Sequence, residues 1–283
     1  MSKFPADLLP DPFFQKARVL KALGNSPVSE SWLLQIDGMQ VVLRRDKELA
    51  QKLCLDRESE WTIMRRTHEA GFGPRPLWRD QDRGLLLKEY VTGPVWTSRC
   101  ITERERLRQL GNRLQQLHAS GIKAKAVDIE AKIGLYKNRL DSPLAEQLAS
   151  EAALLAPILD AEADAVICHN DLGFQNIVGY APAILIDWEY AGLGSPWFDI
   201  AGVCCQNALS FSQIRELLIG YPGLPASDYE DTLTLACRLY DLVGALWYLN
   251  LSQELDSRPR DRMMLKRALE RVGTDLQLPR RGS

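Results

Sequence analysis

The stretch from Ile167 to Ala201 constrains this chain more than any other. It reads I-C-H-N-D-L-G-F-Q-N-I-V, a short gap, then A-I-L-I-D-W-E-Y-A-G-L-G-S-P-W-F-D-I-A. Two apolar runs too short for helices flank a tight turn, with a polar loop before the first and an acid after the second. The predicted order is loop, strand, turn, strand, acid. Asp171 lies two residues after His169, Asn176 five further on, and Asp187 eleven after that (187 − 176). A short polar turn with Asp and Asn is common, because both side chains satisfy local backbone groups. The full run at this spacing supplies more: a carboxylate for an attacking hydroxyl, and hard oxygen ligands for a small divalent cation carried by phosphates. Phosphoryl transfer draws on that set.

Kinase catalytic loops use the same H-x-D-x-x-x-x-N pattern followed by a later metal-binding Asp. C-H-N-D-L-G-F-Q-N and L-I-D-W-E-Y-A-G resemble the choline, ethanolamine and thiamine kinase branch of the aminoglycoside phosphotransferase-like enzymes. The resemblance covers most of the chain and is dense from Val166 to Ala201. It implies an α+β, two-lobed protein-kinase-like fold, with a small N-terminal antiparallel sheet carrying one helix and a larger, mainly helical C-terminal lobe. The boundary falls at residues 1–91 and 92–283. It also implies ATP as co-substrate and Mg2+ as cofactor. Asp171 is then the catalytic base, Asn176 and Asp187 the metal ligands, and His169 and Asp199 structural, Asp199 bracing the loop. Glu189 stands where many protein kinases have glycine; it supports a second magnesium, orients the acceptor, or is simply a surface glutamate.

A chain of 283 residues is long enough for two lobes around one cleft. A net charge near −2 gives no nucleic-acid footprint. No apolar run reaches membrane-spanning length, and M-S-K-F-P-A-D lacks a signal-peptide core. Cys54, Cys100, Cys168, Cys204, Cys205 and Cys237 have no C-x-x-C spacing and read as reduced core residues. A cytoplasmic protein is expected; the oligomeric state is not legible.

After a Pro-rich lead-in over 1–16, three antiparallel strands are predicted: A-R-V-L-K-A-L, S-W-L-L-Q-I and, past the hairpin signal Asp37-Gly38, M-Q-V-V-L-R. The first turn, Gly24-Asn25-Ser26-Pro27, is placed to offer backbone N–H groups to nucleotide phosphates, although an ordinary hairpin loop explains it as well. Arg44 ends the third strand where a protein kinase carries its phosphate-pairing lysine, and arginine can grip phosphate with two N–H groups. A helix over Asp56–Ala70, with Asp56 as N-cap, offers Glu58 and Glu60 as its partners, and the R-x-x-E of Arg57 to Glu60, which resembles the family pattern, favours Glu60. P-L-W-R and L-L-L-K-E-Y are two more strands. Lys88 to Gly93 resembles an interlobe hinge, where the backbone of Glu89, Tyr90 and Val91 would meet the nucleotide base. Thr102 and Glu105 form a capping box for a helix reaching His118, a packing position. Helix is expected over 144–159, 212–220, 226–256 and 259–272.

The acceptor must bear a hydroxyl. Aromatic faces attract organic cations, and Trp188, Tyr190, Tyr240 and Trp247 crowd the motif and a late helix. In choline kinases late-helix aromatics make such a cage, so Trp188, Tyr240 and Trp247 are candidate binders of a small cationic alcohol, with Asp241 as a charge partner. Core packing on one helical stripe explains Tyr240 and Trp247 equally well. The expected reaction is ATP-dependent phosphorylation of a primary hydroxyl, of choline or thiamine type. An aminoglycoside or sugar/amino-alcohol phosphotransferase, or a nucleotide-binding regulator without turnover, stays open.

Overall fold

The computed structural model describes Leu9 and residues 16–100, 103–223, 229–253 and 259–273. Apart from Leu9 and Lys16 the Pro-rich lead-in lies outside these residues, as does Thr102. Five antiparallel strands form the N-terminal sheet: β1 (Arg18–Asn25), β2 (Ser29–Ile36), β3 (Met39–Asp46), β4 (Pro76–Asp80) and β5 (Leu85–Glu89), in the order β1-β2-β3-β5-β4. Asp37 and Gly38 take φ of 49° and 82°. Two consecutive left-handed residues match the strand twist, which is why Asp-Gly closes this hairpin. Side chains alternate across the sheet. Trp32, Leu34, Ile36, Val41, Leu43, Leu85 and Leu87 make one apolar layer. Arg44 and Leu86, paired across β3 and β5, share the other face.

Against that face lies α2 (Arg57–Glu69), which follows the single-turn α1 (Glu48–Lys52). Asp56 caps α2 by accepting the Ser59 N–H at 2.9 Å, a bond typically worth about 1 kcal/mol. Ile63 and Met64 on its inner stripe are buried with Leu86.

The C-terminal part is mainly helical: α3 (Arg104–His118), α4 (Ile129–Asn138), α5 (Pro143–Ala161), α6 (Pro196–Asn207), α7 (Phe211–Ile219), α8 (Tyr229–Ser252) and α9 (Pro259–Arg271). Leu107, Leu110, Leu114 and Leu117 of α3 are buried, as their spacing predicts. Its N-cap is Glu103, without a side-chain bond, one residue past the expected Thr102. Two short ladders sit between these helices and the sheet: β6 (Val166–Cys168) with β9 (Gly192–Gly194), and β7 (Ile177–Val178) with β8 (Ile184–Leu185). They reproduce the predicted loop–strand–turn–strand order. The Leu185 N–H donates to Phe72 O at 2.8 Å, tying β8 to the segment after α2. Among the described residues, no helix is long and apolar enough to cross a membrane.

Candidate active site

The loop between β6 and β7 is held from beneath. Asp199, in the first turn of α6, accepts the His169 N–H at 2.8 Å and the Asn170 N–H at 2.6 Å. Its Oδ2 also lies 3.1 Å from His118 Nε2, and His118 Nδ1 meets the Tyr221 hydroxyl at 2.7 Å. Burial pushes the Asp199 carboxyl up, but the bond from His118 and the charge it shares outweigh it, and the group stays below its ordinary value. His169 is fully buried; its Nε2 bonds Ile186 O at 2.9 Å and its ring lies 4.7 Å from that of Trp188. Asn170 and Asp187 both adopt left-handed backbone, φ 65° and 73°. Such strain in non-glycine residues persists where the surroundings enforce it and clusters at functional sites.

Above this brace lies a cavity of about 450 Å3. Asp171, Asn176, Asp187 and Glu189 line it, together with the turn Gly24–Ser26 and, at the far end, Tyr240, Asp241 and Trp247. Asn176 Nδ2 donates to Asp171 O at 2.8 Å and to Asp171 Oδ2 at 3.1 Å. Its Oδ1 has no donor among the described residues. Asp187 follows β8, with its side chain two-fifths exposed. A free amide oxygen and an open carboxylate on one cavity wall are hard donors that suit Mg2+. Burial raises the Asp171 carboxyl to about 7; the Gln206 hydrogen bond lowers it, and the Asp187 and Glu189 charges raise it again. A carboxyl that gains or loses its proton near neutrality is suited to general-base work.

Glu189 belongs to an ion-pair network joining the motif to the sheet. Its Oε2 lies 3.0 Å from Arg57 Nη1 and 3.8 Å from Arg44 Nη1. Arg57 also makes a two-pronged bond to Asp46, at 2.7 and 2.8 Å, and reaches Glu60 at 3.0 Å. The predicted Arg44–Glu60 pair forms with two parallel bonds of 2.6 and 2.7 Å. Both residues are buried and lie outside the cavity lining. Burial pushes the Glu60 carboxyl up, yet Arg44 and Arg57 overrule it and hold it at about 2. Lys88, buried on β5, extends Nζ to within 3.8 Å of Asp187 Oδ1.

The nucleotide-side turn is tighter than expected. Ser26 N donates to Ser29 O at 2.7 Å, and Ser26 Oγ accepts from Val28 N and Ser29 N at 3.3 and 3.0 Å. Lys47 Nζ holds Asn25 Oδ1 at 2.7 Å. The turn therefore spends on itself the N–H groups of Ser26, Val28 and Ser29. At the hinge, Glu89 N bonds Arg75 O at 2.8 Å and Tyr90 N bonds Gln40 O at 3.1 Å. Of the three hinge N–H groups, that of Val91 has no partner among the described residues. Glu89, Tyr90 and Val91 lie outside the cavity lining.

The acceptor end departs most from expectation. Trp188 is fully buried, donates to Leu185 O at 2.9 Å, and does not line the cavity. Asp241 is engaged by Arg271 through two bonds of 2.5 Å, so its charge is matched inside the protein. The ring of Trp247 meets two others instead: Tyr136 at 5.6 Å and Tyr190, edge to face, at 5.4 Å. Lys132 Nζ stands 5.9 Å from the Tyr190 ring centroid, and burial lowers its ammonium below the ordinary value. Tyr240 packs on Phe198 at 5.1 Å, and its hydroxyl accepts from Gln206 Nε2 at 2.7 Å. Sequence reasoning missed Tyr136 and Lys132, on a helix without a motif, and Gln206, two turns past Asp199 on α6; all three reach the site only through tertiary packing.

Comparison with known proteins follows the same lines. The phosphotransferase enzyme family matches residues 25–229, more than half of the chain. Protein LicA of Haemophilus influenzae is 27% identical over 203 residues, which are 68% of this chain and 60% of that protein. Among solved structures, the choline kinase LicA from Streptococcus pneumoniae has a TM-score of 0.74 at 19% identity, covering 90% of this chain and 94% of that one. A choline/ethanolamine kinase family protein from Mesorhizobium loti has a TM-score of 0.73 at 19% identity, covering 93% and 89%. The fold is kinase-like, and the chain belongs to the phosphotransferase enzyme family.

Proposed function

We propose that this protein is an ATP-dependent small-molecule kinase that transfers the γ-phosphoryl group to a primary hydroxyl of an organic cation, of choline or thiamine type. One observation carries the reading: Asp171, Asn176 and Asp187 line a single cavity with a three-ring box of Tyr136, Tyr190 and Trp247. Catalysis of phosphoryl transfer rests on positioning and charge stabilisation, and each component has a place here. Asp171 orients the acceptor hydroxyl and takes its proton. Asn176 Oδ1 and Asp187 hold magnesium, with Glu189 behind them; the ion would neutralise charge on the phosphates. Arg44, fixed by Glu60, places positive charge behind the nucleotide site, and the hinge around Val91 receives the base. The N-terminal region to residue 91 serves the nucleotide, and the region from 92 onward the acceptor.

The ring box supports a cationic acceptor because aromatic faces attract ammonium groups by about 0.5–2 kcal/mol each. A second reading, a neutral sugar acceptor, is favoured by Lys132, whose ammonium already stands beside Tyr190 and opposes a second cation there. ADP release measured in parallel with choline, ethanolamine, thiamine, aminoglycosides and simple sugars separates the two. With the cationic alcohol as substrate, Trp247→Ala should raise the acceptor KM about tenfold or more and leave the ATP KM within twofold, since one ring contact is worth about 1–2 kcal/mol. Equal effects on both would mean that Trp247 is packing alone.

A further inference from the structure

Gln206 lies near the end of α6, seven residues past the bracing Asp199, and no part of the reaction described above uses it. Its side chain lines the cavity. Nε2 donates to Asp171 Oδ1 at 2.6 Å and to the Tyr240 hydroxyl at 2.7 Å. With Asp171 ionised, the form in which it acts as base, the amide cannot be turned around: its oxygen would then face a carboxylate oxygen at 2.6 Å, two acceptors in contact. Both amide hydrogens are therefore committed. Because a primary amide nitrogen has no lone pair to offer, Tyr240 must act as acceptor in this bond, and its own O–H hydrogen is directed elsewhere. That hydrogen has no acceptor among the described residues, and Tyr240 also lines the cavity.

The loop beside this amide is close-packed. At Gly173 of the D-L-G-F-Q-N loop a Cβ would meet two side-chain amides, those of Gln175 and of Gln206, the latter at 2.5 Å from Oε1. Asn207, next in the chain, fixes the same loop by accepting the Phe174 N–H at 3.0 Å and donating to Leu172 O at 3.3 Å. Asp171 is thus gripped from two sides, by Asn176 at Oδ2 and by Gln206 at Oδ1. A carboxylate with one bond retains rotation about χ2; a second bond to the other oxygen removes it.

We propose that Gln206 is the positioning residue of the acceptor site: it locks the Asp171 carboxylate in plane and turns the Tyr240 hydroxyl into a hydrogen-bond donor for the acceptor molecule. The acceptor then carries, besides the reacting hydroxyl, an oxygen lone pair within reach of Tyr240, or presents the reacting oxygen itself to it. This rests on the kinase reading, with Asp171 as the base.

The experiment compares steady-state kinetics of the full-length wild type with Gln206→Met, Gln206→Glu, Tyr240→Phe and the Gln206→Met/Tyr240→Phe pair, using the best acceptor from the panel above. Methionine keeps the volume without hydrogen bonds, and glutamate keeps the shape but sets a carboxylate against Asp171. Gln206→Met should lower kcat by about ten- to a hundredfold with the ATP KM unchanged, since about an ångström of misplacement at a reacting centre costs on that order. Gln206→Glu should lose at least as much. Tyr240→Phe should mainly raise the acceptor KM, and the double variant should lose less than the product of the two, because one amide links them. A Gln206→Met enzyme with wild-type kcat, a loss that appears equally in the ATP KM, or strictly multiplicative effects would overturn the assignment. If Gln206→Met does not fold, the Gln206→Glu and Tyr240→Phe arms decide. A wild type that turns over no alcohol would sink the activity and this assignment together, whereas normal turnover with unaffected variants sinks the assignment alone.

Discussion

Asp171→Asn should gain stability relative to the wild type, in the metal-free protein, as pH rises. In the folded chain burial raises the Asp171 carboxyl to about 7, against 3.8 for an ordinary aspartate. The folded state therefore binds this proton more tightly than the unfolded state does. Stability from the neutral carboxyl is whole below 3.8, declines as pH rises, and is gone above about 7. At about 1.36 kcal/mol per pH unit, the interval amounts to about 4 kcal/mol. Roughly 1.6 kcal/mol of it is already lost at pH 5, which leaves about 2.5 kcal/mol to be lost between pH 5 and pH 8. Asparagine carries no charge and escapes this penalty. It does set an amide nitrogen against one of the two donors, Gln206 Nε2 or Asn176 Nδ2, at a cost of about 1–3 kcal/mol. That cost does not depend on pH, so it cancels when the two pH values are compared. Melting curves of both proteins in EDTA should show the variant's Tm shifting upward relative to the wild type by about 5–10 °C between pH 5 and pH 8, taking about 2–4 °C per kcal/mol for a chain of this size. The same variant should have no measurable turnover. A stability difference that stays constant with pH would refute the argument, because it would mean that Asp171 ionises as freely in the folded chain as outside it.

Two further outcomes follow from the charges around the site. Glu60→Ala should destabilise the protein by about 3–5 kcal/mol, the usual cost of stripping one partner from a buried ion pair, since Arg44 and Arg57 both lose a carboxylate; urea unfolding at pH 7 reads this directly. Because Glu60 is held at about 2 against an ordinary 4.5, its contribution is present above about 4.5 and fades as pH falls toward 2, so wild type and variant should converge in acid. Lys132→Met should lower the KM for a cationic acceptor by about five- to a hundredfold: an ammonium at the 5.9 Å Tyr190 position opposes a second cation at similar range by about 1–3 kcal/mol, depending on screening. A raised KM would instead mark an acceptor whose negative or lone-pair-bearing group Lys132 engages.

What was legible in the sequence was local. The Asp37-Gly38 hairpin, the Asp56 cap and the leucine stripe of α3 depend on neighbours within one or two turns, and each forms as read. The Asp171, Asn176 and Asp187 set was legible for a related reason: two short ladders bring these residues into one cavity within a single stretch of chain. The Arg44–Glu60 pair spans only 16 residues and also forms. What the sequence could not convey was how many partners each side chain would find. Arg44 has Asp46 and Glu189 beside it as well as Glu60, and the turn after β1 satisfies its own N–H groups through Ser26. Thr102 as a cap falls outside the described residues.

The acceptor end was illegible for a sharper reason. Tyr240 and Trp247, seven residues apart on α8, share a face as the helical period demands, but Asp241 is rotated by about 100° from Tyr240 and meets Arg271 of α9. A carboxylate that reads in one dimension as a cation partner is thereby cancelled. Glu189 is likewise shared with Arg57, and Lys132 arrives from α4, a helix whose sequence has no motif. With these pairings made, the acids of the motif that Arg57 and Arg271 leave open in this lining are Asp171 and Asp187, and Lys132 and Arg260 bring positive charge to the same cavity. Selectivity for a cation then falls to the faces of Tyr136, Tyr190 and Trp247 rather than to ion pairing. Ring faces favour weakly hydrated cations over strongly hydrated ones, so within the cationic reading quaternary ammonium acceptors should outrank primary amines. An enzyme that prefers ethanolamine to choline would place recognition on carboxylates after all, and on Glu189 first.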